Sequence, residues 1–308
     1  MSERGASSHP FQRLARGRPH GAAVLEMPKL ATLTPLEQKL DRARDLLQQW
    51  GSVLVCFSGG IDSTLVLSLA QRALGERAGG LTAVSPSLPA SERADAERLA
   101  NALGARHLFV DSHEIERPGY VQNGPDRCFH CKSELYVIAQ RKAEELGLAA
   151  IANGTNLDDL GDYRPGLEAA RQAGVKSPLV EAGFGKQDVR DAARLLGIAA
   201  WDKPAAACLS SRIPYGTSVT PERLARIGGF EAELKALGFR QVRVRFHDEI
   251  ARIEIGLDEL GRLLEPGVRD SALEAGKRHG FRYVTLDLGG YRQGSHNEVL
   301  AGRSLRLV

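Results

Sequence analysis

Ser52-Val-Leu-Val-Cys-Phe-Ser-Gly-Gly-Ile-Asp-Ser-Thr64 decides how this chain is read. Its first half, Ser52–Phe57, is a continuous apolar run, the pattern of a strand buried on both faces of a parallel sheet. Its second half turns on Gly59 and Gly60 and opens a helix predicted over Asp62–Leu74. Two glycines let backbone N–H groups close on a ligand. Ser58, Ser63 and Thr64 add hydroxyls, and the positive end of the helix faces the same point. Such a loop suits an anion. The plainer alternative is a glycine turn, but Ser-Gly-Gly-x-Asp-Ser after an apolar strand is too specialised for that. It is not the Walker loop, because no Lys follows the glycines.

Outward from this stretch, strands and helices alternate. Pro35–Trp50 carries apolar residues at helical spacing. Leu81–Val84 is a second strand, and Ser91 is the expected N-cap of a helix over Glu92–Leu103. His107–Val110 is a third strand, Lys132–Leu146 a helix, Ala149–Ala152 a fourth strand and Lys186–Leu196 a helix. This alternation predicts an α/β fold, a doubly wound parallel sheet covered on both faces.

The pattern changes after Pro214. Thr220-Pro221 starts a helix running to Leu237. Gln241–Phe246 and Ala251–Ile255 alternate as an antiparallel pair whose polar face carries Arg243, Arg245, Arg252 and Glu254. Helical stretches at Asp258–Leu264 and Ser271–His279 and a strand at Tyr283–Leu288 complete a smaller α+β region. The expected organisation is a disordered extension over 1–30, an α/β domain carrying the anion loop over 31–213, and a smaller α+β domain for substrate or oligomerisation over 214–308.

Charge narrows the partners. The 308 residues carry 41 Lys and Arg against 38 Asp and Glu, a net of +3. Residues 1–26 hold four Arg and two Glu, which accounts for +2 of that and leaves +1. A nucleic-acid binder needs a stronger basic excess, so no nucleic-acid partner is expected. No apolar run reaches the roughly 20 residues that cross a bilayer, and Ala22–Leu25 is too short for a signal peptide. The expectation is a cytoplasmic protein without a membrane partner.

Four cysteines are too few for a disulfide scaffold in a chain this long. Cys56 sits inside the apolar strand and reads as a small core residue. Cys128 and Cys131 form Arg127-Cys-Phe-His-Cys-Lys132, open to reading as a redox pair, half a metal site or chance. His130 and Cys208 could complete a zinc set of four. Cys208 lies between Lys203 and Arg212, cations that favour a thiolate, at the junction of the two regions.

The Ser58–Thr64 segment resembles the PP-loop of the ATP pyrophosphatase superfamily. That resemblance implies ATP cleaved between its α and β phosphates, adenylation of a substrate oxygen, and Mg²⁺ on the phosphates. It points to Asp62, and to Asp159 of Asn153-Gly-Thr-Asn-Leu-Asp-Asp159, as metal contacts. Ser85, Gly154 and Lys186 join Ser58, Gly59, Gly60, Ser63 and Thr64 in the implied nucleotide site. A polar turn is the bland reading of 153–159, and a solvated helix start that of Lys186.

A narrower resemblance rests on Cys208-Leu-Ser-Ser-Arg-Ile-Pro-Tyr-Gly216, Asp162-Tyr-Arg-Pro-Gly166, Ser177-Pro-Leu179 and Tyr283-Val-Thr-Leu-Asp-Leu-Gly-Gly-Tyr-Arg-Gln-Gly-Ser295. Over about 33–308 the chain is similar to the LarE family of ATP-dependent sulfur transferases. The resemblance implies adenylation of the carboxylates of a pyridinium-3,5-biscarboxylate mononucleotide, and their conversion to thiocarboxylates, in nickel-pincer nucleotide biosynthesis. It implies a homo-oligomer. It implies one of two sulfur sources: Cys208 itself, left as dehydroalanine, or a [4Fe–4S] cluster held by Cys128, Cys131 and Cys208, which the three matching cysteines favour. Arg212, Glu231 and Glu254 are implied near the chemistry beside Cys208, and Ser211, Arg212, Arg243 and Arg245 as a clamp for an anionic substrate. Three other readings stand beside it: an iron–sulfur tRNA thiolase, an amide-forming ligase, and a non-enzymatic nucleotide- or zinc-binding regulator.

Overall fold

The computed structural model describes residues 33–161, 165–203, 207–292 and 296. Asp162–Arg164 and Gln293–Ser295 of the quoted motifs, and the 1–30 extension, lie outside them.

The apolar stretch forms β1 (Val53–Cys56), flanked by β2 (Ala78–Val84), β3 (Arg106–Asp111) and β4 (Ala150–Ala152). The order is β3-β2-β1-β4 and every pairing is parallel. Residues of β1 alternate between two cores. Val53, Val55 and Phe57 pack with the helices Pro35–Trp50, Ile61–Leu74 and Lys186–Leu195. Leu54 and Cys56 pack with the helices Arg127–Glu145 and Pro165–Gln172 on the other face. Burial on both faces explains why β1 reads as unbroken apolar sequence rather than an alternation.

The chain steps from β1 outward to β2 and β3, then returns to the other side of β1 for β4. The order therefore reverses between β1 and β4. Ligands of open parallel sheets bind beyond the carboxyl ends of the strands at such a reversal. Both polar loops singled out in the sequence, Ser58–Thr64 and Asn153–Asp159, leave the sheet there.

The second sheet holds β5 (Val242–His247), β6 (Ile250–Ile255) and β7 (Tyr283–Leu286). β5 and β6 are antiparallel and β6 and β7 parallel. The helices Pro221–Ala236 and Pro266–Arg278 cover its apolar face, where Phe230, Val244, Phe246 and Ile253 are buried. Thr34–Val308 forms one compact unit.

Three sequence expectations are corrected. Ser91 is not an N-cap: the helix runs Ala90–Ala102 after Pro89, so Ser91 lies in its first turn. The helix predicted from Lys132 begins at Arg127 and places both Cys128 and Cys131 in its first two turns. The helix predicted from Ser271 begins at Pro266.

Candidate active site

The phosphate loop is fixed from within. Ser63 Oγ accepts from the Ser58 backbone N–H at 3.2 Å and donates to the Gly60 carbonyl at 3.1 Å. Thr64 Oγ1 donates to the same carbonyl at 2.8 Å. Gly60 caps the helix Ile61–Leu74 in an extended conformation without a side-chain cap, so the first-turn N–H groups stay directed at the loop. Gly59 is left-handed, at φ +70°, and a Cβ there would meet Ala96 at 3.1–3.2 Å. No other residue fits that turn without strain.

The β4 loop closes on the same point. A Cβ on Gly154 would meet the Ser63 backbone nitrogen at 2.6 Å, so a glycine is required for the two loops to touch. Asn156 Nδ2 donates to Asp62 at 2.9 Å, and the Asn156 N–H donates to Asp159 at 3.1 Å. Burial pushes the Asp62 carboxyl above the usual range; Asp159 adds to this, while Asn156 and Lys186 oppose it. Asp62, Asp159 and Lys186 are thus one electrostatic group, drawn from two loops and the start of the helix Lys186–Leu195. The Lys186 N–H itself donates to Asp158 at 2.6 Å.

Lys203 is bound elsewhere than the sequence suggested. Its ammonium pairs with Glu92 at 2.8 Å and Asp95 at 2.9 Å, and donates to the Gly59 carbonyl at 3.3 Å. It braces the phosphate loop against the helix Ala90–Ala102. Ser85 is tied to Ser87 at 2.9 Å and to Glu114, which also accepts from Ser87 at 3.0 Å and Ser112 at 2.5 Å. Glu114, 2% exposed, was not singled out by sequence; nothing in its local context marks it as buried.

Cys208 sits where the parts meet. The next residue, Leu209, donates its N–H to the Ser87 carbonyl at 2.9 Å, joining this loop to the end of β2. Arg212 Nη1 donates back to the Cys208 carbonyl at 3.2 Å. Cys128 is exposed on its helix, and Cys131 and Cys208 are half-buried. Burial pushes the Cys131 thiol up to about 12, with Cys208 the next cause. Although its residue keeps solvent exposure, the Cys128 thiol is also raised, first by the protein crowded around it and then by Cys208. The three thiols therefore share one field. Among the described residues no three His, Cys, Asp or Glu side chains are gathered into a metal-ligand group. Thiols beside the Arg127 and Lys132 cations are nevertheless the donor type that an anionic iron–sulfur cluster uses, and Cys208 acts electrostatically on both Cys128 and Cys131. Cys56 stands apart, buried on β1, with burial holding its thiol up near about 11.

Above this junction lies the basic face of β5 and β6, which is buried rather than solvated. Arg212 forks onto Glu231 at 2.8 and 3.1 Å. Burial opposes the Arg212 charge, and Glu231 outweighs that and raises it. Glu231 also accepts from the Val244 N–H at 2.9 Å. Arg245 forks onto Glu254 at 2.8 and 2.9 Å and donates to the Ser211 carbonyl at 2.7 Å. Arg243 is 7% exposed and bonds Tyr291 Oη at 2.9 Å; among the described residues no carboxylate forms an ion pair with it. Burial, then Arg212, pushes its guanidinium below the usual range. His296 stacks on Tyr215 with ring centroids 4.2 Å apart. Burial and the nearby Arg127, Arg245, Arg243 and Arg212 hold its imidazole down near about 3. Neither His296 nor Arg127 was singled out by sequence, because they lie 53 and 116 residues from Arg243 and only the fold brings them near it.

A sheet reversal at a glycine loop, with paired hydroxyls and carboxylates around it, defines a PP-loop nucleotide-binding protein. Residues 36–121 match the asparagine synthase family model. The chain is 40% identical over 277 residues to pyridinium-3,5-bisthiocarboxylic acid mononucleotide synthase of Lactiplantibacillus plantarum, covering 90% of this chain and 99% of that protein. It is 43% identical over 265 residues to an uncharacterized Synechocystis protein, covering 86% and 99% of the two. An uncharacterized Methanocaldococcus jannaschii protein is 29% identical over 241 residues, covering 78% and 90%. The chain belongs to the LarE family, that of the Lactiplantibacillus synthase.

Proposed function

We propose that this chain is an ATP-dependent sulfur transferase that adenylates the carboxylates of a pyridinium-3,5-biscarboxylate mononucleotide and converts them to thiocarboxylates. The observation that carries the reading is the placement of Cys208. Its loop is hydrogen-bonded to the nucleotide half through Ser87, and to the basic face through Arg212 and Arg245.

In this reading the first-turn N–H groups after Gly60 and the Ser58, Ser63 and Thr64 hydroxyls hold the ATP phosphates. Asp62 and Asp159 hold Mg²⁺, which neutralises phosphate charge when bound. Lys186 adds a cation beside them, and Ser85 lines the same end of the sheet. The substrate carboxylate oxygen attacks the α-phosphorus and the bond to the β,γ-diphosphate breaks, so pyrophosphate leaves and an acyl adenylate forms. AMP is then the leaving group when sulfur bonds to the carbonyl carbon.

Arg243, with Ser211 and Arg245 beside it, binds the phosphate and spare carboxylate of the substrate. Glu231 and Glu254 act by holding Arg212 and Arg245 in place, since both carboxylates are already engaged at 2.8 Å. Cys128, Cys131 and Cys208 would hold a [4Fe–4S] cluster, which when bound supplies the transferable sulfide. The other route takes the sulfur of Cys208 itself: its thiolate attacks the acyl carbon and AMP leaves, giving a thioester. Loss of the Cys208 Cα proton then breaks its Cβ–S bond, leaving dehydroalanine and freeing the thiocarboxylate.

All four cysteines are free thiols, in keeping with a cytoplasmic site, and among the described residues no helix is long and apolar enough to cross a membrane. The homo-oligomer rests on the family resemblance alone. The test is AMP and pyrophosphate release from ATP with the dicarboxylate mononucleotide. Substrate-dependent AMP, with thiocarboxylate in the product, is expected; no AMP with that substrate overturns the reading.

A further inference from the structure

Asn123 occupies an unusual position. It is fully buried, yet its backbone is left-handed at φ +56°, a conformation that non-glycine residues seldom adopt. Its side chain closes a clamp across 90 residues of sequence. Nδ2 donates to the carbonyls of Pro214 at 2.8 Å, Thr217 at 2.8 Å and Ile213 at 3.3 Å. Its own carbonyl accepts from the Gly216 N–H at 3.1 Å. Its Oδ1 accepts from Arg127, and the same Arg127 nitrogen donates to the Ser210 carbonyl at 2.8 Å. Tyr120 Oη and Ser210 Oγ are 2.5 Å apart in the buried space below.

All of these bonds except Arg127 to Asn123 join the segment that starts the Cys128–Cys131 helix to the segment that follows Cys208. The Cys208 loop forms only one short turn, Leu209–Arg212, so its place depends on bonds to other elements: this clamp, Leu209 to Ser87, and Arg245 to Ser211.

We propose that Asn123 is a positioning residue which, directly and through Arg127, holds Cys208 against Cys128 and Cys131. The inference rests on the reading that the three thiols act together, but it is tested without turnover. The full-length protein is treated with a short bismaleimide, and cross-linked thiol pairs are mapped by mass spectrometry. Wild type links Cys208 to Cys131 or Cys128. Asn123→Gly accepts the left-handed backbone at no cost and deletes the side-chain bonds to Ile213, Pro214, Thr217 and Arg127. It is expected to slow links to Cys208 by at least about tenfold, while the Cys128–Cys131 link keeps its rate. Asn123→Asp, which turns an acceptor toward three carbonyls, is expected to slow them as much. If Asn123→Gly fails to fold, Tyr120→Phe, which deletes one hydroxyl, carries the test with a smaller slowing of the same links.

Unchanged Cys208 links in these variants, or no such link in wild type, overturns the clamp. Wild type that cross-links as expected but transfers no sulfur would leave the clamp standing and reject the proposed function instead.

Discussion

Arg243 stands directly opposite Glu254 in the β5–β6 register, yet the Glu254 carboxylate is taken by Arg245, two residues along the same face. Among the described residues the diagonal pairing leaves the buried Arg243 guanidinium without an ion-paired carboxylate, bonded to the hydroxyl of Tyr291 and set over its ring. A buried cation without an acid partner is costly, and an anionic substrate relieves that cost. Arg243→Ala is therefore expected to weaken binding of the mononucleotide. The loss of one charged hydrogen-bonding group is worth about 1.5–3 kcal/mol, or about 10- to 100-fold in affinity. Binding of ATP measured without that substrate should be spared. Calorimetric titration checks this, and an unchanged affinity counts against the clamp.

Glu254 predicts the opposite balance between stability and binding. It is 1% exposed and neutralises Arg245. Glu254→Ala strands a buried guanidinium, which costs about 3–5 kcal/mol of stability. The double replacement Arg245→Met with Glu254→Leu removes both charges, so urea unfolding should return most of that loss while substrate binding stays impaired. A double variant as unstable as the single one would show that the pair itself stabilises the fold.

How far the sequence could be read follows from which interactions are local. β1 and its loop were legible because burial on both faces and a glycine turn leave marks on adjacent residues. Arg243 and Arg245 were placed on one face by alternation alone, but their burial was not visible, since it comes from Glu231, Glu254 and the Cys208 loop. The start of the helix at Arg127 was missed because Asp126 makes no side-chain cap. The short helix Pro165–Gln172 was missed as well; its Pro-Gly opening reads as a turn. Asn123 and Glu114 left no signal, because their partners lie 90 and about 30 residues away and only the fold brings them together.

Asp62 gives a pH dependence. Burial first, and Asp159 after Asn156 has opposed it, place its folded carboxyl above the unfolded value. The folded state then holds the proton more tightly. Its contribution to stability is present below the unfolded pKa and is lost as pH rises through the folded one. Asp62→Asn should accordingly be more stable than wild type at neutral pH, and the advantage should vanish in acid. Mg²⁺ with ATP favours the ionised carboxylate, so it should raise the unfolding temperature of wild type more than that of the variant. Thermal unfolding across pH, with and without Mg²⁺ and ATP, measures both effects. A variant that is less stable at neutral pH contradicts the assignment.

The cysteines divide three and one, and the division is testable by metal content as well as by activity. Cys56 lies on the apolar strand, its thiol held near about 11 by burial, so it should resist alkylation at neutral pH. Cys56→Ala should cost only about 1 kcal/mol and leave sulfur transfer intact. Cys128→Ser, Cys131→Ser and Cys208→Ser should each abolish multiple turnover, because each removes one of the three proposed cluster ligands, whose thiols are electrostatically coupled through Cys208. Iron and sulfide measured after anaerobic reconstitution should be retained in Cys56→Ala and lost in the other three. If wild type binds neither iron nor sulfide, the cluster is excluded and the Cys208 route is tested next. The mass of the Cys208 peptide after turnover then decides: conversion to dehydroalanine marks a single sacrificial transfer, whereas an intact cysteine after many turnovers requires an external sulfur source delivered to the same junction.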